Sequence, residues 1–221
     1  MASKKHDIFW ISYADLLTSL FFIVLVLFAI TFFKYQNKVE DLKKKLEVFQ
    51  LVENSLAPLK AKENVFLYDE QYKRFTLTKP VKFQISKTEI TPSDVVSYDV
   101  QAPYLITAGK ELLATIDKLE NERKTNDALK DISYIVVISG YASKLGPNPD
   151  LNSDYDLSYH RAINLWKFWK ANGIDFENEK YKDFIDLQIA GNGWGGIGRE
   201  KIEINNQRFI IQIIPKTKNI D

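Results

Sequence analysis

The sequence predicts an α+β domain, a two-layer α/β sandwich, preceded by one transmembrane helix that continues into a coiled-coil-like linker helix. Three observations predict it: an apolar run from Phe9 to Phe33, apolar residues three and four apart beyond that run, and short apolar runs alternating with helical periodicities after Pro58. The expected division is a tail over 1–8, a transmembrane helix over 9–33, a helical linker over 34–60 and a globular domain over 61–221.

The run FWISYADLLTSLFFIVLVLFAITFF is long enough to cross a hydrocarbon layer of ~30 Å at ~1.5 Å rise per residue. A cleaved signal peptide would need a shorter apolar centre and a small-residue cleavage site, and neither precedes Lys34. Trp10 and Tyr13 near one end, with Phe32, Phe33 and Tyr35 near the other, suit the headgroup level where aromatic rings anchor. Lys4 and Lys5 precede the run, whereas Lys34, Lys38, Lys43, Lys44 and Lys45 follow it, so a plain positive-inside count places the C-terminal part in the cytoplasm.

Asp15 is the one charged residue of the run. A carboxylate at the centre of an apolar span costs ~2.5–3.5 kcal/mol on insertion scales unless it is partnered, protonated or facing water, which makes it a functional candidate. The plainer alternative is that Asp15, under two turns from the start, sits near the interface. Thr18 follows one turn on, where its hydroxyl either holds a water or ion beside the carboxylate or bonds back to the carbonyl four residues earlier.

Ile11, Ala14, Thr18, Phe21, Leu25, Phe28, Phe32, Tyr35, Val39, Leu42, Leu46 and Phe49 alternate three and four apart, as in a heptad seam. Beyond Lys34 the intervening residues are mostly polar, so the seam carries information there. Its simplest consequence is a parallel homodimer; the alternative is a helix packing its stripe on its own domain.

Strands are expected over Asn64 to Tyr68 and Arg74 to Phe83, the latter interrupted by Pro80. A helix follows from about Ala102 to Glu120, and the polar run Asn121 to Asp131 reads as a loop. Ile132 to Ser139 reads as a strand covered on both faces. A second helix, about Asp156 to Ala171, stops before Gly173, and Phe184 to Ala190 and Arg208 to Pro215 supply the last strands. The order β-β-α-β-α-β-β predicts helices on one face of a mixed sheet.

Other chemistries have little support. A net charge of +1 leaves no footprint for nucleic acid, and the absence of cysteine excludes disulfides, thiolate metal sites and cysteine nucleophiles. The glycine-rich GNGWGGIG, Gly191 to Gly198, leads through polar residues into a strand rather than opening a helix, so it reads as a flexible loop and not a phosphate cradle. His6 and His160 are too poorly accompanied to form a metal site, and no serine or carboxylate pair carries a hydrolase signature. No enzyme activity and no cofactor are expected.

Two resemblances meet at these residues. WISYADLLT, Trp10 to Thr18, resembles the start of the transmembrane helix of MotB-type stator subunits, where an aromatic residue, Ala, the ion-carrying Asp and a later hydroxyl recur. ISGYASKLG (Ile138 to Gly146), LSYHRA (Leu157 to Ala162) and NQRFI (Asn206 to Ile210) resemble the strand-turn, helix and final strand of OmpA-like peptidoglycan-binding domains. The FWISYADL form and the long helix after it are most similar to the ZorB branch, from Zorya anti-phage defence systems.

The resemblance implies a dimer of this chain inside a ring of MotA- or ZorA-like partner subunits, pentameric in expectation. Asp15, with Thr18, would carry protons or Na⁺. It also implies an inner-membrane protein with a cytoplasmic N-terminus and a periplasmic domain, opposite to the charge count. The family's binding turn usually carries an Asp where this chain has Ser143, working with an Arg that matches Arg161 to recognise the peptide stem of peptidoglycan. Ser158 and Asp154 are counted in the implied site, and Asp150, Asp154 or Asp156 could replace the missing charge. A motility stator, a non-conducting wall tether and an ExbD- or TolR-like energy transducer are the alternatives.

Overall fold

A computed structural model describes residues 3–144, 151–194 and 198–217. The chain divides into two compact units, Met1–Gln50 and Leu51–Asp221. The first belongs to helix α1 (Ser3–Ser55) and contains the apolar run. Side chains from Trp10 to Phe28 all face outward, and the helix is long and apolar enough to cross a membrane.

The second unit holds the last turn of α1, then α2 (Ala57–Lys60), β1 (Phe66–Asp69), β2 (Arg74–Leu77), α3 (Tyr98–Thr125), β3 (Ile132–Gly140), α4 (Leu151–Ala171), β4 (Ile185–Gly191) and β5 (Phe209–Thr217). From β1 onward the order is the expected β-β-α-β-α-β-β. The strands form one mixed sheet in the order β1-β2-β5-β3-β4, in which β3 and β4 are parallel and the other neighbouring pairs antiparallel.

Along β3, Ile132, Tyr134, Val136 and Ile138 are buried while Ser133, Ile135 and Val137 are half-buried. The strand is therefore covered fully on one face and only partly on the other, which corrects the reading of its continuous apolar run. The covered face forms the core with α3 and α4: Leu105, Ala108, Leu112, Ile116 and Leu119 are buried along α3, and Ala162, Leu165 and Trp169 along α4. Trp169 joins the two helices, its Nε1 donating to the Leu105 carbonyl at 2.7 Å.

Several boundaries move for identifiable reasons. β2 stops at Leu77, three residues before Pro80, which has no N–H for a ladder. α3 starts a turn earlier than its apolar periodicity and runs through the polar stretch to Thr125. There the pairs Glu120–Arg123, Glu120–Lys124 and Lys118–Glu122 support a helix that hydrophobic spacing does not reveal. α4 begins at Leu151, before the expected Asp156, with Asp154 in its first turn where a carboxylate suits the helix dipole.

Gly140 and Gly191 face each other at the ends of β3 and β4. A Cβ at Gly140 would lie 2.1 Å from the Ser158 carbonyl oxygen, and one at Gly191 would lie 2.6 Å from the Tyr159 nitrogen. The two glycines let the backbone of α4 lie directly on the strand ends, which fixes Arg161 beside the turn after β3. Gly191 is thus a close-packing residue of the sheet, not a flexible loop residue.

Candidate functional site

Each unit carries a candidate site of its own. In the first, Asp15 lies on the exposed surface of α1 in an otherwise uncharged stretch, Trp10 to Phe33. Thr18 Oγ1 donates to the Ala14 carbonyl at 2.7 Å, the backbone bond that was one of its two expected roles. Its oxygen keeps lone pairs but its proton is committed. Trp10 and Tyr13 stack edge to face at 6.2 Å on the same segment.

In the second unit, the residues between β2 and α3 fold back on themselves. Phe83 bridges to Val95, Gln84 N–H donates to the Asp94 carbonyl at 2.7 Å, and Val96 N–H to the Lys82 carbonyl at 2.9 Å. Asp94 closes this loop from within, accepting from Ser93 Oγ at 3.0 Å and the Glu89 N–H at 3.3 Å. Burial pushes the Asp94 carboxyl up, but these bonds and Lys87 outweigh it, so its pKa is lowered overall.

The loop, the start of α4, and the segments after β3 and before β5 enclose a cleft of about 660 Å³. Arg161 lies at its floor, 3% exposed. Its guanidinium sits 4.4 Å above the Phe83 ring, and its Nε donates to the Lys87 carbonyl at 3.1 Å. Three residues later on the same helix face, Asn164 Nδ2 donates to the Thr88 carbonyl at 3.1 Å, so α4 holds the loop at two points. Burial pulls the Arg161 guanidinium down to about 10, with the Asp154 carboxylate opposing. It stays cationic at neutral pH.

Of the residues expected at this site, Arg161, Ser143 and Asp154 line the one cleft. Ser158 does not. It is fully buried, donates to the Tyr155 carbonyl at 2.8 Å and accepts from the Gly193 N–H at 2.8 Å, pinning α4 to the chain beyond β4. Asp156 lies at the rim, 3.4 Å from His160 Nε2, and Asp150 lies outside the described residues.

Three contributors escaped the sequence reading: Gln207, Phe83 and the loop carbonyls that hold Arg161 and Asn164. Gln207 falls inside the NQRFI motif but looked like a strand residue. The break of β2 at Pro80 was the visible sign of the loop. Among the described residues no group of three or more His, Asp or Glu side chains is placed to hold a metal ion.

No family model matches the chain, and no curated protein matches it. Among solved structures, a MotB-like protein from Desulfovibrio vulgaris is similar at 15% identity over 77% of this chain and 93% of its own, with a TM-score of 0.37. The periplasmic domain of Helicobacter pylori MotB is similar at 15% identity over 66% of this chain and 78% of its own, with a TM-score of 0.37. The OmpA-like domain of FopA1 from Francisella tularensis is similar at 17% identity over 69% of this chain and 79% of its own, with a TM-score of 0.34.

Proposed function

We propose that this chain is the ion-carrying and wall-anchoring subunit of an ion-driven motor in a bacterial inner membrane, spanning it once with the N-terminus in the cytoplasm. The observation that carries the reading is Asp15, the single charge on the outward surface of the apolar stretch Trp10 to Phe33 of α1. A carboxylate costs ~2.5–3.5 kcal/mol at the centre of such a span, and a charge kept within the apolar run favours a role that uses it. A membrane potential of ~100 mV supplies ~2.3 kcal/mol per charge that crosses it, so repeated binding and release of H⁺ or Na⁺ at Asp15 would drive small steps of a surrounding ring.

Its neighbours in this reading are a second copy of the chain, held through the α1 seam, and a ring of MotA- or ZorA-like subunits facing Asp15. The cleft around Arg161 takes the peptide stem of the cell wall and holds the dimer still while the ring turns. The FWISYADL sequence and the long helix after it favour anti-phage defence as the output, as in the ZorB branch, over motility.

The test is a pair of variants in cells. Asp15→Asn is expected to abolish activity with assembly intact, and Arg161→Ala to release the protein from the wall. Full activity in Asp15→Asn with loss only in Arg161→Ala would leave a tether without ion flux.

A further inference from the structure

Beyond the apolar stretch α1 continues without a break and carries the seam residues Tyr35, Val39, Leu42, Leu46 and Phe49 along one side. Tyr35, Leu42, Leu46 and Phe49 are all exposed. The charges around this stem are sorted by side. The positions that border the seam, and that face the other helix of a parallel pair, hold Gln36, Lys38, Lys43, Lys45 and Gln50. The acids Glu40, Asp41 and Glu47 all fall on the outer side. Lys44, also on the outer side, pairs with Glu40 at 3.5 Å. Among the described residues no ion pair holds Lys38, Lys43 or Lys45.

In a parallel pair, Lys38 of one helix faces Lys43 of the second copy, and Lys45 faces Gln50. No bordering pair attracts, and the lysine pair repels on both sides of the seam. Pairing of the stem is therefore favoured by an anion that offsets this charge. The membrane surface is the nearest source. Lys34 follows the apolar run directly, and Lys38 stands about 7.5 Å beyond Phe33 at ~1.5 Å rise per residue, within the headgroup layer. An anionic surface attracts lysines close to it and acts less on those further out, so Lys34 and Lys38 feel it most. In the proposed orientation these lysines also lie on the side that the positive-inside rule disfavours, which points to a use other than topology.

We propose that anionic phospholipid headgroups bind Lys34 and Lys38 and thereby close the α1 stem of the dimer, so that pairing above the membrane depends on lipid charge. The proposal rests on the homodimer reading and adds the ligand that completes it.

The experiment places the full chain with its co-purifying partner in vesicles of phosphatidylcholine alone or of phosphatidylcholine with phosphatidylglycerol. Disulfide formation is followed at two seam positions, each in its own variant. Phe28→Cys, within the apolar stretch, reports the dimer itself and is expected to crosslink in both vesicles. Leu46→Cys, in the stem, is expected to crosslink about fivefold faster with phosphatidylglycerol, the scale of two exposed charge pairs, and to lose that gain at high salt. Adding Lys38→Glu to Leu46→Cys sets an acid against Lys43 of the second copy, and is expected to give the faster rate in phosphatidylcholine alone.

Equal rates at Leu46→Cys in the two vesicles, with Phe28→Cys still crosslinking, overturn the proposal and leave the dimer standing. A gain from phosphatidylglycerol that survives Lys34→Gln combined with Lys38→Gln also overturns it, because the anion then acts elsewhere. A Leu46→Cys rate that follows the amount of partner and not the lipid assigns the lysines to an acidic protein surface and overturns it too. Absence of crosslinking at Phe28→Cys in both vesicles removes the dimer reading, and the proposal with it.

Discussion

Asp15 and Arg161 are both single charges on helices, but the two units surround them in opposite ways. Around Asp15 the neighbouring side chains of α1, Ser12, Thr18 and Ser19 among them, are uncharged and turned outward, and among the described residues no ion pair holds the carboxylate. Around Arg161 the unit has closed: an aromatic ring, a loop carbonyl and a nearby carboxylate position the guanidinium before any ligand arrives. The difference teaches where each site is completed. In the proposed function the first is finished by another subunit, whereas the second is built by its own chain.

The globular half of that contrast depends on a well-packed core, and the largest effect is expected there. Trp169→Ala removes a fully buried ring and its bond to Leu105, and is expected to destabilise the second unit by about 3–5 kcal/mol, read from chemical denaturation. Unfolding at an unchanged midpoint would mean that the helices are joined elsewhere. Arg161→Met is expected to cost about 1–3 kcal/mol, mainly by leaving the Lys87 carbonyl unpaired, and to abolish retention on wall. Stability lost with retention kept would make Arg161 a loop clamp alone.

A smaller effect separates the units by pH. Hydrogen bonds from Lys73 and Lys60 hold the Glu53 and Glu70 carboxyls below their ordinary value of 4.5, joining the end of α1 and α2 to the β1–β2 turn. A lowered folded pKa contributes stability that is complete above the unfolded value and is lost as pH falls through the folded one. The denaturation midpoint of the second unit should therefore hold from neutrality down to about pH 4.5 and drop below it. Glu53→Gln combined with Glu70→Gln should flatten that drop; an unchanged acid limb would assign it to other carboxyls.

The least perturbing test addresses the helix seam. The chain has no cysteine, so Leu46→Cys introduces a lone thiol on the exposed seam of α1. A parallel dimer predicts a disulfide-linked pair in oxidised membranes with no change in stability or activity. A thiol that stays monomeric there, while Lys44→Cys on the flank crosslinks, would turn the seam away from a second copy.

How much of this was legible in the sequence follows from which forces leave a pattern. The apolar helix, the core stripe of α3 and the order of strands were legible because burial repeats at fixed periods. The end of α3 was not, since Glu120, Arg123 and Lys124 stabilise it through charge pairs without an apolar stripe. Of the cleft, Arg161 and Ser143 were found through short motifs, and Asp154 as a nearby carboxylate that could replace a missing charge. Gln207 and the Phe83 loop were missed because their roles depend on backbone groups brought together over more than a hundred residues. Ser158 belongs to the same motif as Arg161, yet it is turned to the end of β4 and serves the helix-to-strand contact.

The central claim is that Asp15 carries ions, and its most direct test is flux through vesicles containing the protein and its co-purifying partner, with wild type and Asp15→Asn compared at equal incorporation. The account predicts an ion current in the wild type that Asp15→Asn abolishes while the complex stays intact. An undiminished current in Asp15→Asn, or none in an intact wild-type complex, would contradict it.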